Sequence, residues 1–197
     1  MKTLRVTIKG MSPLSQGRYH DTPKLDRESH SDYEIRTWRE KMHVNGDGFV
    51  LISSFALKNC LSEAAKFLSK KIPGSGKATF TKHFESGVII ADGIVLKVKK
   101  DDVPFLKLFV PSDGKRGGGS RVWKYFPVIQ EWGGTFDILI VDEILTLDVL
   151  QEHLEMAGKF IGLGSLRVRN NGTFGRFEII DAEFVGEEKE VRRLRRA

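Results

Sequence analysis

The sequence predicts an α+β fold in which two helices pack on one antiparallel sheet. Three observations lead to this prediction: an N-terminal segment with strict alternation of apolar and polar residues, two segments with helical apolar stripes, and β-rich segments around the second helix. Two β-α-β units that share one antiparallel sheet form a ferredoxin-like (RRM-like) domain. The chain of 197 residues is long enough for one such domain with insertions.

The first half of the chain supplies a strand, a long loop and a helix. Thr3 to Lys9 alternate cleanly, which predicts a half-buried strand. Residues 11–48 show no sustained period and at most a short helix around 31–42, and a loop of this length is often functional. Ser53 or Ser54 can cap a helix over residues 55–71.

The middle of the chain predicts strands over 78–83, 87–91, 94–99 and 104–110, with an Asp92-Gly93 turn joining the second and third. A glycine-rich basic segment, 111–121, lies between two strand-like runs and therefore predicts the tip of a protruding β-hairpin.

The last third predicts a central strand over Thr135–Val141, a helix that begins at Thr146 or Asp148 and stops at Gly162, and a final strand over about 174–184. We therefore expect a single domain over residues 1–186, with insertions at 11–48 and 111–121. Residues 187–197 form a basic C-terminal tail.

Composition narrows the classes of function. A net charge of +6 favours anionic partners without proving one. The single cysteine, Cys60, cannot form an internal disulfide and lies on an apolar stripe, so we expect it to be buried. The residues predict no metal site and no cofactor, because no Cys/His set has zinc spacing. With no signal sequence and no apolar run of membrane-spanning length, we expect a cytoplasmic protein that does not bind membranes.

The segment from Gly162 to Phe177, called here the glycine-arginine loop, holds four glycines, three arginines and two phenylalanines. Glycines allow close approach of the backbone to a ligand, free N–H groups can cradle an anion, and Phe174 or Phe177 could stack on a base. The alternative is a helix-capping glycine followed by a turn with incidental arginines. The predicted phosphate contacts are Gly162, Gly164, Arg167, Arg169, Gly172, Gly175 and Arg176.

Two motifs in this region, Ala157–Gly164 and Gly172–Phe177, resemble the RAMP superfamily of CRISPR proteins, in particular its backbone subunits. The resemblance implies a role in antiviral defence, RNA binding, and assembly of copies along the strand or within a larger ribonucleoprotein complex. The opening Ile8–Leu14 is also similar to small phage proteins of unknown role.

Two further regions are candidates for strand contacts. The hairpin tip, with Lys115, Arg116 and Arg121, matches the thumb that the resemblance implies, although a charged loop usually faces only water. In the 15–45 loop, Tyr19 and Trp38 could stack on bases, but acidic residues nearly cancel the positive charge there, which slightly favours internal pairing of these charges.

Together these features predict a non-enzymatic protein that binds RNA or single-stranded DNA through the phosphate backbone, with strong salt dependence and little sequence preference. One alternative is a protein-interaction module, for example a viral mimic that inhibits a CRISPR complex. The other is an endoribonuclease, for which the resemblance implies His20, Asp21 or Asp26 as catalytic residues.

Overall fold

A computed structural model describes residues 1–112 and 120–185. The fold is α+β, as expected. Its helices and strands in chain order are β1 (Lys2–Gly10), α1 (His30–Thr37), β2 (Phe49–Ile52), α2 (Ser54–Leu68), α3 (Thr81–Ser86), β3 (Val88–Ile89), β4 (Ile94–Lys99), β5 (Phe105–Pro111), β6 (Arg121–Pro127), β7 (Gly133–Ile140), α4 (Leu147–Met156) and β8 (Phe177–Phe184).

The main sheet has the strand order β3-β7-β1-β8, and every neighbouring pair is antiparallel. β1 and β7 are internal strands, and the central position of β7 is the one that its apolar run predicts. Leu4, Val6 and Ile8 of β1 point into the core, whereas Arg5 and Thr7 lie on the other side of the sheet.

Helices α2 and α4 supply the other half of the core. Ser53 caps α2 by accepting a hydrogen bond from the Ala56 N–H, and Thr146 caps α4 in the same way through the Val149 N–H. A π-helical turn, Ala157–Ile161, extends α4 to Gly162, which has a φ of +73°. The buried residues of both helices join those of the main sheet in one cluster that includes Cys60. The burial predicted for Cys60 is confirmed.

Two smaller antiparallel sheets complete the fold. β2 pairs with β4, and β5 pairs with β6 in the hairpin that the sequence predicts. The tip residues Lys115 and Arg116 and the tail 187–197 lie outside the described residues. In the part of the chain that is described, no helix is both long and apolar enough to cross a bilayer.

Two local predictions are wrong, and one strand was missed. Thr81–Ser86 is a helix instead of part of a strand over 78–83, because this conformation buries Phe84 completely and stacks its ring on His153 with centroids 4.2 Å apart. Asp92-Gly93 does not join a hairpin, because β3 pairs with β7 and β4 with β2. Gly93 instead allows close packing, since a Cβ there would lie 2.1 Å from the Ile52 carbonyl oxygen. Strand β2 has four residues and was not predicted.

Candidate nucleic-acid interface

The glycine-arginine loop is joined along its length to the segment that follows β1. The Met11 N–H donates to the Arg176 carbonyl (2.7 Å), the Gly175 N–H to the Pro13 carbonyl (2.8 Å), and the Ser165 N–H to the Ser15 carbonyl (2.7 Å). The Arg176 N–H adds a bond to Ser12 Oγ at 3.0 Å. The long loop after β1 therefore begins as a firmly held segment.

The glycines of the loop serve this backbone contact. A Cβ would lie 2.0 Å from the Ser15 carbonyl oxygen at Gly164, 2.0 Å from the Leu163 carbonyl oxygen at Gly175, and 1.7 Å from the Leu166 carbonyl oxygen at Gly172. Gly162, Gly164 and Gly175 also have positive φ angles. The surface that these glycines approach is therefore the protein's own backbone.

Most of the N–H groups expected to cradle an anion are already used. The following residues of the loop donate their backbone N–H to an acceptor within the protein: Gly162, Leu163, Ser165, Asn170, Asn171, Gly172, Phe174, Gly175 and Arg176. This part of the sequence prediction does not agree with the structure, because the tight turns satisfy the loop's own donors.

The arginines of the loop differ in their partners. Arg167 and Arg169 both pair with Glu63 of α2, at 2.9 and 3.1 Å. Arg176 is exposed. Phe177 packs edge-on against Trp132 in the core, which removes its ring as a stacking surface.

Beside this loop lies a groove made of two adjoining clefts, of about 600 and about 210 Å³. They share Gly17 and Arg18, so we call the whole feature the Arg18 groove. The larger cleft is lined by Gly17, Arg18, Tyr19, His20, Tyr33, Glu34, Lys41, Val110, Pro111, Lys124, Phe126 and Leu166. The smaller is lined by Leu14, Gln16, Gly17, Arg18, His43, Ile52, Ser53, Ala56, Leu163, Gly164 and Ser165. The two clefts thus adjoin the β5–β6 hairpin, the glycine-arginine loop and the start of α2.

Hydrogen bonds to residues distant in the sequence hold Arg18 at the junction of the two clefts. The Gln16 side chain is buried, donates to the Leu51 carbonyl at 2.9 Å and accepts from the His43 N–H at 2.8 Å. The Arg18 N–H donates to the Lys41 carbonyl at 2.9 Å. The backbone at Arg18 and just before it is therefore fixed, while the residue itself is exposed.

The charge of the groove is positive. Its acidic lining residue, Glu34, is buried and pairs with Lys41 at 2.6 Å. Lys124 and Arg18 lie within 4 Å of no carboxylate of the described residues, and Lys124 donates only to the Ser112 carbonyl. Burial, and next the charge of Arg18, hold the pKa of His43 below its ordinary value, so this imidazole is neutral near pH 7.

Aromatic rings line the larger cleft. Tyr19 is 87% exposed, and its neighbour His20 stacks on Tyr33 with centroids 6.1 Å apart. Trp38, in contrast, is only 3% exposed and packs between Phe105 and Arg39. The predicted stacking of Trp38 on a base does not agree with this position, because the ring belongs to the core.

The solvent-facing side of the main sheet has a different chemistry. Arg5 forms a two-point ion pair with Asp137, and Thr7 shares a hydrogen bond with Thr135. Cross-strand positions on β8 add Asp181 and Glu183. The carboxylates of this side would repel a phosphate backbone, so the groove is the better candidate site.

The three residues considered for catalysis do not form a cluster. His20 Nδ1 contacts Thr22 Oγ1 at 3.2 Å, Asp21 is exposed, and Asp26 lies 4.0 Å from Arg27 in solvent. Within residues 1–112 and 120–185, no group of three or more His, Cys, Asp or Glu side chains could hold a metal ion.

Sequence reasoning missed Lys124 and Phe126 and gave Arg18 no specific role. Arg18 lies beside Tyr19 and His20 in the sequence, which is a usable signal for a single-strand site. Lys124 comes from the hairpin, and only the fold brings it to the same cleft.

Comparison with solved structures now identifies the fold. A chain of a type III-B Cmr-beta complex, solved by cryo-EM bound to cognate target RNA, aligns over 93% of this chain with 11% identity and a TM-score of 0.50. The fold is RAMP-like. This chain spans 60% of the length of that Cmr chain. Cmr6 from Pyrococcus furiosus aligns over 89% of this chain and 97% of its own length, with 12% identity and a TM-score of 0.46.

No protein-family model matches the sequence, and no curated protein matches it either. The predicted RAMP resemblance is thus confirmed at the level of the fold.

Proposed function

We propose that this RAMP-like protein binds single-stranded nucleic acid, with RNA as the preferred ligand, in the Arg18 groove. The observation that carries the proposal is the adjacency of the two clefts, which share Gly17 and Arg18: together they adjoin the hairpin and the glycine-arginine loop and are lined by cations and rings.

The groove suits two parts of a nucleic-acid strand, and the first is the phosphate backbone. Arg18 and Lys124 have no carboxylate partner among the described residues, and the Glu34–Lys41 pair next to them is neutral overall. Unpaired cations of this kind neutralise phosphates and release counterions, so affinity falls as salt rises. Arg176 of the glycine-arginine loop is a further exposed cation outside the groove lining.

The second part of the strand that the groove suits is a base. Tyr19 is almost fully exposed, and Tyr33, His20 and Phe126 lie in the same cleft. Stacking on such rings tolerates every base, which accounts for binding with little sequence preference.

The glycine-arginine loop then acts chiefly as a wall of the groove. Leu163, Gly164 and Ser165 line the smaller cleft, and the glycines allow the backbone contact that shapes it. Arg167 and Arg169 reach a strand only by leaving Glu63, so in this proposal they are secondary contacts.

The RAMP-like fold supports RNA as the ligand and a larger assembly as the setting. The similar Cmr-beta chain belongs to a complex that was solved with target RNA. We extend this to the present chain as part of the proposal: a ferredoxin-like core, assembly along a strand, and membership of a ribonucleoprotein complex. We also propose that the protein binds without cleaving, because His20 contacts Thr22 and Tyr33 and forms no ion pair with a carboxylate of the described residues.

Binding of a fluorescently labelled single-stranded oligouridine, followed by anisotropy, tests this function. We expect log affinity to fall with log salt by about 0.7 per phosphate contact. Arg18→Ala should weaken binding roughly fivefold. It should also make the slope shallower by about 0.7, which corresponds to the loss of one phosphate contact. Lys77→Ala is the matched control, since Lys77 is an exposed cation outside the groove.

Equal losses for Arg18→Ala and Lys77→Ala would contradict the groove as the site. Oligothymidine in the same titration tells whether RNA is preferred over single-stranded DNA. Cleavage of the oligouridine that is lost in His20→Ala would instead favour the endoribonuclease.

The alternative of a protein-binding mimic makes a separate prediction. A CRISPR ribonucleoprotein would capture the protein, and the Arg18→Ala variant would be captured equally well.

A further inference from the structure

One face of the β5–β6 hairpin carries a row in which rings and cations alternate. Side chains on a strand alternate between its two faces, and the register pairs Lys107 with Tyr125 and Phe109 with Trp123. We call this row the hairpin ladder, and its members are Phe105, Lys107, Phe109, Arg121, Trp123 and Tyr125. The opposite face of the hairpin supplies Val110, Lys124 and Phe126 to the Arg18 groove.

The members of the ladder contact one another in a continuous series. Phe105 meets Tyr125 with ring centroids 5.0 Å apart, and Lys107 Nζ lies 5.5 Å from the Tyr125 ring and 4.7 Å from the Trp123 ring. Trp123 meets Phe109 at 5.0 Å. Arg121 then lies over Phe109 at 5.4 Å and donates to the Phe109 carbonyl.

The ladder is anchored at its base and open along its length. Trp38, a core residue, packs on Phe105 with centroids 5.3 Å apart, and Tyr125 is buried. Even so, Phe105 is 50% exposed, and Phe109 and Trp123, nearer the tip, are 46 and 45% exposed. Three half-exposed rings in one row form an apolar surface that is unusual for an isolated chain and indicates a binding partner.

The charges of the ladder indicate what kind of partner binds. Lys107 and Arg121 form no ion pair with a carboxylate of the described residues, whereas Arg167 and Arg169 both pair with Glu63. Every second position on this face of each strand, about 7 Å apart along the strand, holds either a ring or a cation. Uncompensated cations next to half-exposed rings match the phosphates and bases of a single strand.

We propose that the hairpin ladder is a base-stacking surface for single-stranded nucleic acid, with Trp123 and Phe109 receiving bases and Lys107 and Arg121 contacting phosphates. This inference rests on the proposed function, since it requires that the protein binds a strand. It adds a second site, on the face of the hairpin turned away from the Arg18 groove.

The test compares an oligouridine with an abasic strand of the same length, which keeps the phosphates and lacks the bases. The variants are Trp123→Ala and Phe109→Ala, with Trp123→Phe as the version that keeps a ring. Phe160→Ala is the matched control, because Phe160 is a 49% exposed phenylalanine outside the hairpin. Far-ultraviolet circular dichroism and the melting temperature of each variant verify that it is folded.

We expect Trp123→Ala and Phe109→Ala each to weaken binding of oligouridine about tenfold and to leave binding of the abasic strand unchanged. Trp123→Phe and Phe160→Ala should bind both strands like the unmodified protein. Trp123 is also the exposed one of the three tryptophans, so oligouridine should quench the fluorescence of the unmodified protein and not that of Trp123→Phe.

Two results separate the inference from the proposed function. If all variants bind both strands equally strongly, the ladder is not a stacking surface, and the proposal for the Arg18 groove still stands. No binding of either strand at low salt would overturn the proposed function, and the ladder proposal with it.

Discussion

Replacement of Gly164 by alanine should destabilise the protein strongly, because this glycine is where two backbone segments meet. Its φ is +76°, and a Cβ would lie 2.0 Å from the Ser15 carbonyl oxygen. Ordinary contact begins near 3.4 Å, so the Ser15 segment must move by more than an ångström. That movement breaks the bond from the Ser165 N–H to Ser15, which is 2.7 Å long.

The expected magnitude follows from these three effects. The left-handed conformation costs alanine about 1 kcal/mol, the lost hydrogen bond about 1 kcal/mol, and the forced displacement about 1 to 2 kcal/mol. The free energy of unfolding should therefore fall by about 3 to 4 kcal/mol. For a domain of this size the melting temperature should fall by about 10 °C.

Chemical denaturation with urea, together with thermal denaturation followed by circular dichroism, measures the change. Gly46→Ala is the matched control, since a Cβ at Gly46 would meet nothing within 4 Å and its φ is not positive. The control should change the free energy of unfolding by less than about 0.5 kcal/mol. A Gly164→Ala variant as stable as the control would refute the conclusion that the glycines serve backbone contact.

Three further predictions concern single side chains. Glu63→Gln removes the carboxylate that holds Arg167 and Arg169, so oligouridine should bind more tightly and with a steeper salt dependence; unchanged binding would exclude both arginines as contacts. Burial raises the pKa of the Cys60 thiol to about 12, so Ellman's reagent should not react with the native protein at pH 8 and should react after denaturation; rapid native reaction would contradict this burial. Burial also lowers the pKa of His153, so the unfolded chain binds a proton more readily and the free energy of unfolding should fall as the pH drops below about 6.5. In urea titrations His153→Phe should lessen this loss, although not abolish it, because the pKa of His43 is lowered too; an unchanged pH dependence would contradict the role of His153.

Local signals predicted the elements that build the core. Strict alternation identified β1, and a capping serine or threonine before an apolar stripe identified α2 and α4 to within a few residues. These signals suffice because each element carries its own period and its own cap.

The errors arose where distant residues decide the structure. Residues 81–86 are helical because this conformation stacks the Phe84 ring on His153, and nothing in the local sequence predicts that contact. The same holds for Trp38, whose basic and aromatic neighbours suggested a stacking ring and whose contact with Phe105 places it in the core.

The candidate site was predicted in part. The sequence pointed to the glycine-arginine loop and the hairpin, and the structure brings both to one groove. It could not reveal that Glu63, about a hundred residues away, forms ion pairs with two of the arginines. The ladder, however, leaves a local trace: rings and cations alternate in Phe105-Leu-Lys-Leu-Phe109 and Arg121-Val-Trp-Lys-Tyr125.

The most direct test of strand binding is to measure the nucleic acid that copurifies with the protein. The protein is purified at low salt, its absorbance ratio at 260 and 280 nm is recorded, and any bound polymer is digested separately with RNase and DNase. We predict a high ratio that falls after RNase treatment or in high salt, and that stays high after DNase treatment. A protein that carries no nucleic acid at low salt, and that takes up none when oligouridine is added, would contradict the account and turn the search to protein partners.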